Sequence, residues 1–547
     1  MADETNNDDL ELITNISQIV MELKKKFSIY FDDKHFRANA LAGDIIYENF
    51  DSVTFKGTNR GYITINSKDR EIYRYSDGVY INDGERTIEA IARQVLGDNA
   101  TSHLVKEVVS AVKQNVDILV NREQLNNYQN LINLKNGIFN TETNEIMSHD
   151  KKYYFTLKLD IDYNKESTCP NILKFFSEIH MEIDIPIIQE MFGYCLYPEY
   201  TYHKIFFLIG SGRNGKSTEL SLLRAFIGNK NISSATIHDL LDNPFNAAQL
   251  FGKFANISGD VGQDAIEDTG ILKRLSGGDS IMAQHKFCHQ FEFVNFAKLI
   301  YACNNPPEIK DRSDAMWNRM IHLTFPNKFL DNSPGTDPDI LLKLTTDAEL
   351  SGLFNWAMIG LTRLKRNSRF SYNKTTEENM AAYDRKAEPV LAYAQDTLIE
   401  AGDSYILKNE LYKSYVDWCK KEKQRVLNEV WFSRKLKDVM PGCYPFRLQT
   451  VEPRQRVFMG IAFKDGTNNN VVYGSSQSSE LTSIEPQQKL NIEPSLEDKI
   501  NSLFTCLEMM KDMTIEMLKE EGFTETFLNK CLEKGIIHIK PDGTVGV

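Results

Sequence analysis

The sequence predicts a multidomain protein with an α/β domain in the middle of the chain, helical regions around it and smaller mixed units towards both ends. Length is the first reason, because 547 residues are too many for one hydrophobic core. The second is the alternation of predicted strands and helices from residue 202 to about 329, which is typical of an α/β sheet. The third is the pair of turn dipeptides Asp77-Gly78 and Asp83-Gly84, which predict hairpins near the N-terminus.

Periodicity predicts the remaining elements. Apolar residues at helical spacing predict helices over 10–27, 87–116, 171–196 and 340–365. Alternating side chains and turn dipeptides predict strands over 71–81 and 131–146, and helices followed by two strands over 389–463. No internal repeat interrupts this order.

A phosphate-binding loop is the most informative motif. The apolar run 205–209 predicts a buried strand, and the residues after it fit G-x-x-x-x-G-K-[ST]. Glycines let backbone N–H groups approach phosphates, and the N-terminus of the following helix favours negative charge. The predicted nucleotide-binding residues are Gly210, Gly212, Asn214, Gly215, Lys216, Ser217 and Thr218. We expect Lys216 to reach the β- and γ-phosphates of ATP and Ser217 to hold Mg²⁺.

Composition excludes some classes of protein. The net charge of −13 argues against a uniformly basic coat for nucleic acid, although a local basic channel remains compatible with it. The eight cysteines form no C-x-x-C motif and no cluster with histidine, so we expect neither a zinc site nor a disulfide framework. The polar start and the lack of a long apolar run predict a cytoplasmic protein that does not enter a membrane.

Further motifs follow the phosphate loop in a fixed order. They are the strand-like run 251–260 ending in Asp260, the segment 272–279, the pair His285-Lys286, the strand 298–303 ending in Asn304, and Trp317-Asn318-Arg319-Met320. This order and spacing resemble superfamily 3 helicases, in the branch that contains phage and plasmid primase C-terminal domains and the poxvirus primase-helicase. The resemblance covers about 136–463 and implies an AAA+-like α/β motor.

The resemblance also implies roles in ATP hydrolysis. Asp260 would orient the hydration shell of Mg²⁺ and polarise the attacking water. Because Gly259 precedes it where the family commonly has paired acids, the general base stays open, with Asp264 and Glu267 as weaker candidates that could equally be solvated.

Two more catalytic roles rest on the same resemblance. Asn304 would be the sensor of the γ-phosphate, or else a turn-forming residue before Pro306. Arg319 would be an arginine finger that reaches the neighbouring subunit's site in a ring. Alternatively, it is a surface ion-pair residue.

Two predicted surfaces would contact DNA. His285 and Lys286 lie where the family has a hairpin that projects into the central channel, and without the motif order they would be ordinary solvated residues. Arg434, Lys435 and Lys437 lie on the predicted recognition helix of a winged-helix unit, and Arg447, Arg454 and Arg456 lie on its wing. Such units also serve as protein-contact modules.

Seven segments are expected along the chain. They are an N-terminal α+β domain of unknown role (1–100), a mostly helical collar or pre-motor domain (101–200), the superfamily 3 ATPase motor (201–330), a helical lid or connector (331–384), a winged-helix domain (385–464), a flexible linker (465–495) and a small winged-helix-like domain (496–547). Primase-helicases of the family that this chain resembles carry a large primase domain before the motor. Residues 1–135 are the only ones before Asn136, and they carry neither a zinc cluster nor a paired-acid primase motif, so we expect no priming activity.

Together these features predict an ATP- and Mg²⁺-dependent hexameric DNA helicase of a virus, plasmid or integrated element. The resemblance implies 3′-to-5′ travel on single-stranded or forked DNA, with a separate primase or polymerase as partner. Two alternatives keep the ATPase. One is an initiator that melts or marks an origin without processive unwinding, and the other is a nucleotide-switched oligomeric scaffold for which DNA is irrelevant.

Overall fold

The computed structural model divides the chain into two units, residues 1–472 and 473–547. The described residues are 7–32, 35–51, 56–210, 212–242, 244–259, 261–262, 265–286, 288–329, 337–422, 424–447, 456–466, 470–471, 531–532, 538–539 and 545–546. Within this part of the chain, no helix combines the length and the apolar character that crossing a membrane requires.

The first region combines four helices with short strands. The helices are α1 (Asn7–Lys24), α2 (Ala38–Ile46), α3 (Gly84–Leu96) and α4 (Ser102–Gln114). The strands are β1 (Phe31–Asp32), β2 (His35–Phe36), β3 (Tyr47–Asp51), β4 (Lys56–Asn59), β5 (Tyr62–Ile65), β6 (Ile72–Ser76), β7 (Val79–Ile81) and β8 (Leu119–Val120). Buried residues from Val20 to Ile118 form the core of this region.

Of the two N-terminal turn dipeptides, Asp77-Gly78 closes a hairpin, whereas Asp83-Gly84 does not, because α3 begins at Gly84. Strands β6 and β7 pair antiparallel with Ser76 opposite Val79, which leaves Asp77 and Gly78 as the two turn residues. Their φ angles of 47° and 80° are both positive, as a tight two-residue hairpin turn requires.

The segment predicted to be mostly helical, 101–200, is mixed. It contains α4, α5 (Pro170–Ile179) and α6 (Ile185–Cys195), together with an antiparallel sheet of β9 (Leu131–Leu134), β10 (Gly137–Asn140) and β11 (Glu145–Met147). Lys135 and Asn136 form the turn between β9 and β10, one residue earlier than the predicted turn Asn136-Gly137, because Gly137 already pairs with Leu134. Gly137 has a φ of 150°, and a Cβ there would lie 2.5 Å from Met147 O.

A five-stranded parallel sheet forms the centre of the first unit. Its region contains α7 (Lys216–Ile227), α8 (Ile237–Asp242), α9 (Pro244–Ala247), α10 (Gly270–Leu275) and α11 (Asp314–Trp317). The strands are β12 (Ile205–Ile209), β13 (Ile232–Ser233), β14 (Ala255–Ser258), β15 (Ser280–Gln284), β16 (Gln290–Val294), β17 (Lys298–Cys303) and β18 (Met320–Thr324). The sheet order is β13-β14-β17-β12-β18, and β15 pairs with β16 as a separate hairpin. Every residue of β12 and β17 is buried, as expected for parallel strands covered on both faces.

One hydrophobic core joins the central sheet to its flanks. Helices α12 (Ile340–Leu344), α13 (Asp347–Asn367) and α14 (Thr376–Ala387) follow the sheet, and the core extends from Ile132 to Tyr383. A Cβ on Gly193 would lie 2.4 Å from Ala357 O, so this glycine allows α6 to approach α13 closely. The predicted domain boundaries at 200 and 330 therefore fall inside a single core.

A separate core follows α14. Helices α15 (Pro389–Thr397), α16 (Lys408–Lys421) and α17 (Glu429–Val439) pack on an antiparallel sheet of β19 (Leu398–Leu407), β20 (Tyr444–Arg447), β21 (Arg456–Phe463) and β22 (Asn470–Val471). The aromatic rings of Tyr393, Tyr415, Trp418 and Phe432 fill its centre.

The described part of the second unit is a short antiparallel pair, β23 (His538–Ile539) and β24 (Val545–Gly546). Most of the predicted linker 465–495 and most of the predicted domain 496–547, including its helices, lie outside the described residues.

Candidate nucleotide site and nucleic-acid contacts

The phosphate loop connects β12 to α7. Gly212 and Gly215 have φ angles of 87° and 85°, which other residues rarely adopt. A Cβ on Gly210 would lie 1.8 Å from Asn214 Nδ2, so a glycine is required for the loop to close over that side chain. Asn214 is buried, and its Nδ2 has no hydrogen-bond partner among the described residues. A buried donor of this kind in a glycine-rich loop fits a phosphate oxygen.

Lys216 joins two neighbouring strands of the sheet. Its Nζ donates to Gly210 O at 3.1 Å, to Cys303 O at 2.7 Å and to Asn304 Oδ1 at 2.8 Å. The residue is 5% exposed. Its amine is thus held between the carboxyl ends of β12 and β17, where phosphate oxygens could exchange for neutral oxygens.

Asn304 was predicted to be a sensor of the γ-phosphate. It follows β17, whose Cys303 pairs with Ile209 at the end of β12, and its side chain is exposed apart from the contact with Lys216. The structure therefore brings Asn304 and Lys216 together.

The predicted magnesium ligands are described only in part. Ser217 is exposed in the first turn of α7, and Thr218 beside it is half-buried. Asp260 and Asp264 lie outside the described residues. Glu267, the other candidate base, is exposed next to the bridge between Ile266 and Ile309.

Arg319 lies at the amino ends of the parallel strands, whereas the phosphate loop lies at their carboxyl ends. Its carbonyl accepts from Ile205 N at 2.7 Å, where β12 begins, and its Nη1 donates to Ala315 O. Strand β18 has five residues, so at about 3.3 Å per residue its length separates Arg319 from the loop by about 16 Å. The buried Nε of Arg319 has no partner among the described residues.

Two further basic residues accompany Arg319 and were missed in the sequence. Burial, and then the charge of Arg319, lower the pKa values of His203 and Lys204. The Lys204 amine donates to Asn318 O. Their position just before β12 could have indicated that they lie at the amino end of that strand. Nothing in the sequence spacing linked them to Arg319.

Strands β15 and β16 form the hairpin that was predicted to contact DNA. Ser280 pairs with Val294 at the base and Gln284 with Gln290 near the tip. His285 and Lys286 are exposed at the tip, and the His285 ring stacks on Phe291 at 5.3 Å between centroids. Both residues therefore lie on the surface of the chain.

The hairpin also contacts the N-terminal region, which the sequence did not predict. His289 donates through its backbone N to Asp69 Oδ2 at 2.9 Å, and its Nδ1 lies 2.6 Å from Asp69 Oδ1. The hydrogen bond from the His289 side chain lowers the pKa of Asp69. The Arg122 guanidinium lies 4.4 Å from the centroid of the Phe291 ring and pairs with Glu71 at 2.7 Å.

The predicted recognition helix is α17. Asn428 caps it by accepting from Trp431 N at 2.9 Å, and Phe432 and Leu436 anchor its buried side. Arg434 and Lys437 are exposed, and Lys435 is half-buried. Of the arginines predicted to lie on a wing, Arg447 and Arg456 are exposed opposite each other on β20 and β21, whereas Arg454 lies outside the described residues.

Comparisons with known families cover two parts of the chain. Residues 22–180 match the family described as D5 N terminal like. Residues 208–319 match a family of unknown function, DUF5906. The first match reaches from the N-terminal region into α5, so the similarity begins well before residue 136.

Similar curated proteins come from large DNA viruses. The protein named "Putative helicase 022R" of Frog virus 3 (isolate Goorha) is 26% identical over 240 residues, which cover 39% of this chain and 24% of that protein. "Putative helicase L207/L206" of Acanthamoeba polyphaga mimivirus is 26% identical over 271 residues, covering 46% of this chain and 27% of that protein. The matched part spans about a quarter of these relatives. The chain is thus similar, over part of its length, to viral proteins named as putative helicases, and in residues 22–180 to the D5 N-terminal family.

Among solved structures, the apo C-terminal region of NrS-1 is similar over 74% of this chain and 96% of that chain, with 12% identity and a TM-score of 0.39.

Proposed function

We propose that this chain is an ATP-dependent DNA helicase of superfamily 3 that replicates a virus, plasmid or integrated element. The observation that carries the proposal is the Lys216 amine, held between Gly210 O and Asn304 Oδ1 at the carboxyl edge of the sheet. Similarity to viral proteins named as helicases supports the choice of helicase among P-loop activities.

ATP hydrolysis would use the carboxyl edge of the central sheet. Water attacks the γ-phosphorus, the bond to the β-phosphate oxygen breaks, and ADP and phosphate leave. Lys216 would neutralise charge on the β- and γ-phosphates, and Asn304 would orient the γ-phosphate or the water. Ser217 and Asp260 would hold Mg²⁺, which supplies positive charge to the phosphate oxygens when bound.

The strand order supports an AAA+-like motor. Strand β17 lies between β12, which leads into the phosphate loop, and β14, which leads towards Asp260. Because all three strands are parallel, the loop, Asn304 and the residues after Ser258 meet at one edge.

The position of Arg319 supports a ring, and a hexamer is the family's expectation. In its own protomer Arg319 lies at the amino ends of the strands, away from the phosphate loop. It can therefore serve an active site only in another copy. A finger supplied in this way makes hydrolysis depend on assembly.

The hairpin supports contact with single-stranded or forked DNA in the channel of that ring. Lys286 and His285 are exposed at its tip, and Lys286 would meet backbone phosphates as a point charge. Travel from 3′ to 5′ and a separate primase or polymerase partner complete the proposal.

An initiator that marks or melts an origin is the second candidate. Helix α17 and the sheet of residues 398–471 support a winged-helix unit, and Arg434 and Lys437 share its exposed side with Trp431. These residues would contact duplex DNA in the initiator.

Strand separation tests the proposal. The substrate is forked DNA with a single 3′ tail, and separation should require ATP and Mg²⁺ with the native chain. Lys216→Ala should abolish it, and Lys230→Ala, an exposed lysine after α7, should not. Brisk hydrolysis without separation would contradict the helicase and favour the initiator. An absence of hydrolysis would contradict both.

A further inference from the structure

A buried histidine and a buried glutamate lie directly beneath the phosphate loop. His180 Nε2 is 2.8 Å from Glu219 Oε2, and the two side chains are 0% and 1% exposed. His180 follows the last residue of α5, whereas Glu219 lies in the first turn of α7, three residues after Lys216. The pair thus connects the region before the sheet with the helix that carries the phosphate-binding lysine.

The end of α5 contacts the loop region at further points. A Cβ on Gly215 would lie 2.4 Å from Ile179 Cγ2, so Ile179 packs against the loop at the residue before Lys216. Glu178 O accepts from Asn327 Nδ2 at 2.7 Å. The His180 ring packs on Phe325 at 4.8 Å between centroids. These contacts make the end of α5 a support for both the loop and the segment after β18.

The pair is poorly explained as a device for stability alone. His180 Nδ1 and Glu219 Oε1 are buried and have no hydrogen-bond partner among the described residues. Buried polar atoms without partners destabilise a fold, and apolar side chains of similar volume often replace a buried pair without loss. A role in the site beside it accounts for their presence better.

We infer that His180 is a positioning residue for ATP hydrolysis, and this inference rests on the proposed ATPase function. His180 holds Glu219, and Glu219 fixes the first turn of α7, so that Lys216 keeps its place between β12 and β17. The ligand of the site is the nucleotide already proposed for the loop, and His180 does not contact that nucleotide. The region that matches the D5 N-terminal family ends at His180, so this contact also joins that region to the nucleotide site.

Two substitutions separate positioning from packing. His180→Phe keeps a ring against Phe325 but removes the donor to Glu219, whereas His180→Gln keeps an N–H that can donate to it. A displaced loop lowers the chemical step strongly even when the displacement is small. We expect His180→Phe to lower kcat roughly tenfold to a hundredfold, with a smaller change in KM, and His180→Gln to recover most of kcat.

A double variant keeps the test sharp if His180→Phe is unstable. His180→Phe with Glu219→Leu replaces the pair by apolar groups and removes the buried carboxylate that has lost its partner. We expect its thermal midpoint to return towards the native value while kcat stays low. His322→Phe is the matched control, because His322 is also buried but contacts Tyr372 away from the loop.

The outcomes are distinct. Native kcat in the double variant, or equal losses in His180→Phe and His322→Phe at equal thermal midpoints, would overturn the positioning role and leave the ATPase intact. A native chain without Lys216-dependent hydrolysis would overturn the proposed function and the positioning role with it. Low kcat in a stable double variant, together with recovery in His180→Gln, is the result we expect.

Discussion

Two buried lysines lie at opposite ends of the strands in the same parallel sheet, one at the carboxyl ends and one at the amino ends. Lys216 is at the carboxyl edge, and its amine contacts two backbone carbonyls and the exposed side chain of Asn304. Lys298 begins β17 at the other edge, and its amine donates to Tyr197 O and Phe296 O, both at 2.6 Å. Both residues are almost inaccessible, at 5% and 0% exposure.

The surroundings of the two amines differ. Glycines and the N-terminus of a helix surround Lys216, so backbone donors converge on the space beside it. The rings of Tyr194 and Tyr200 cover Lys298, with the Tyr194 centroid 4.4 Å from its amine. The comparison teaches that burial of a lysine does not identify a site. Only the edge that offers donors for an anion should carry the chemistry.

The largest expected effect contrasts the two lysines directly. Lys216→Met should lower ATP turnover at least about a hundredfold, because it removes positive charge from the phosphates. Lys298→Met should retain turnover, since that residue is sealed from the site. Steady-state hydrolysis, with thermal midpoints to verify folding, measures both. Equal loss of turnover in two folded variants would break the comparison.

Arg319→Ala tests whether the second edge of the sheet serves another subunit. We expect turnover to fall about a hundredfold or more while ATP binding is retained, because a finger acts on the transition state. Mixing Arg319→Ala with Lys216→Met subunits should restore part of the turnover at hybrid interfaces. Arg312→Ala, which removes an exposed ion pair with Asp384, is the control. No recovery in rings shown to be mixed would argue against a finger in trans.

Lys286→Ala should have a moderate effect, confined to nucleic acid. We expect DNA-stimulated hydrolysis and strand separation to fall about tenfold. The salt dependence of DNA binding should decrease by the amount that corresponds to about one phosphate contact. Binding titrations at several salt concentrations measure the second effect, with Lys230→Ala beside them. An unchanged salt dependence would remove the hairpin tip from the DNA interface.

The smallest expected effect concerns stability at the Lys298 edge. Burial lowers the pKa of Lys298 to about 7 from its ordinary value of 10.5. Between these values the unfolded chain binds the proton more strongly, so the contribution of this group to stability rises with pH by about 1.4 kcal/mol per unit. Below about pH 7 that gain is absent. Lys298→Met should lack this rise. Thermal midpoints of the native chain and the variant, measured from pH 7 to 9, test the prediction. If the midpoints of both chains change with pH in the same way, the lowered pKa of Lys298 is contradicted.

The phosphate loop could be predicted because its information is local. Nine consecutive residues after an apolar run specify a strand, a turn with positive φ angles and the start of a helix. The resemblance singled out Asn304 at the end of an apolar run, but its contact with Lys216 is known only from the structure, which places β12 beside β17. For Asp260 the structure adds nothing, because the residue lies outside its described part.

Other contacts could not be predicted from one sequence. His180 and Glu219 are 39 positions apart and Asp69 and His289 are 220 apart, so only tertiary packing brings them together. The segment 101–200 shows a second limit. Its helices were evident from apolar spacing, but a core shared with residues after 330 leaves no mark in either stretch alone.

The contact between Asp69 and His289 has a mechanical consequence. His289 is 61% exposed and Asp69 is 30% exposed, and ion pairs on such surfaces contribute only about 0–1 kcal/mol. Thermal motion alone can overcome a restraint of that size. Through this contact the N-terminal region therefore holds the hairpin only loosely, and a shift in the hairpin's position away from Asp69 costs little free energy.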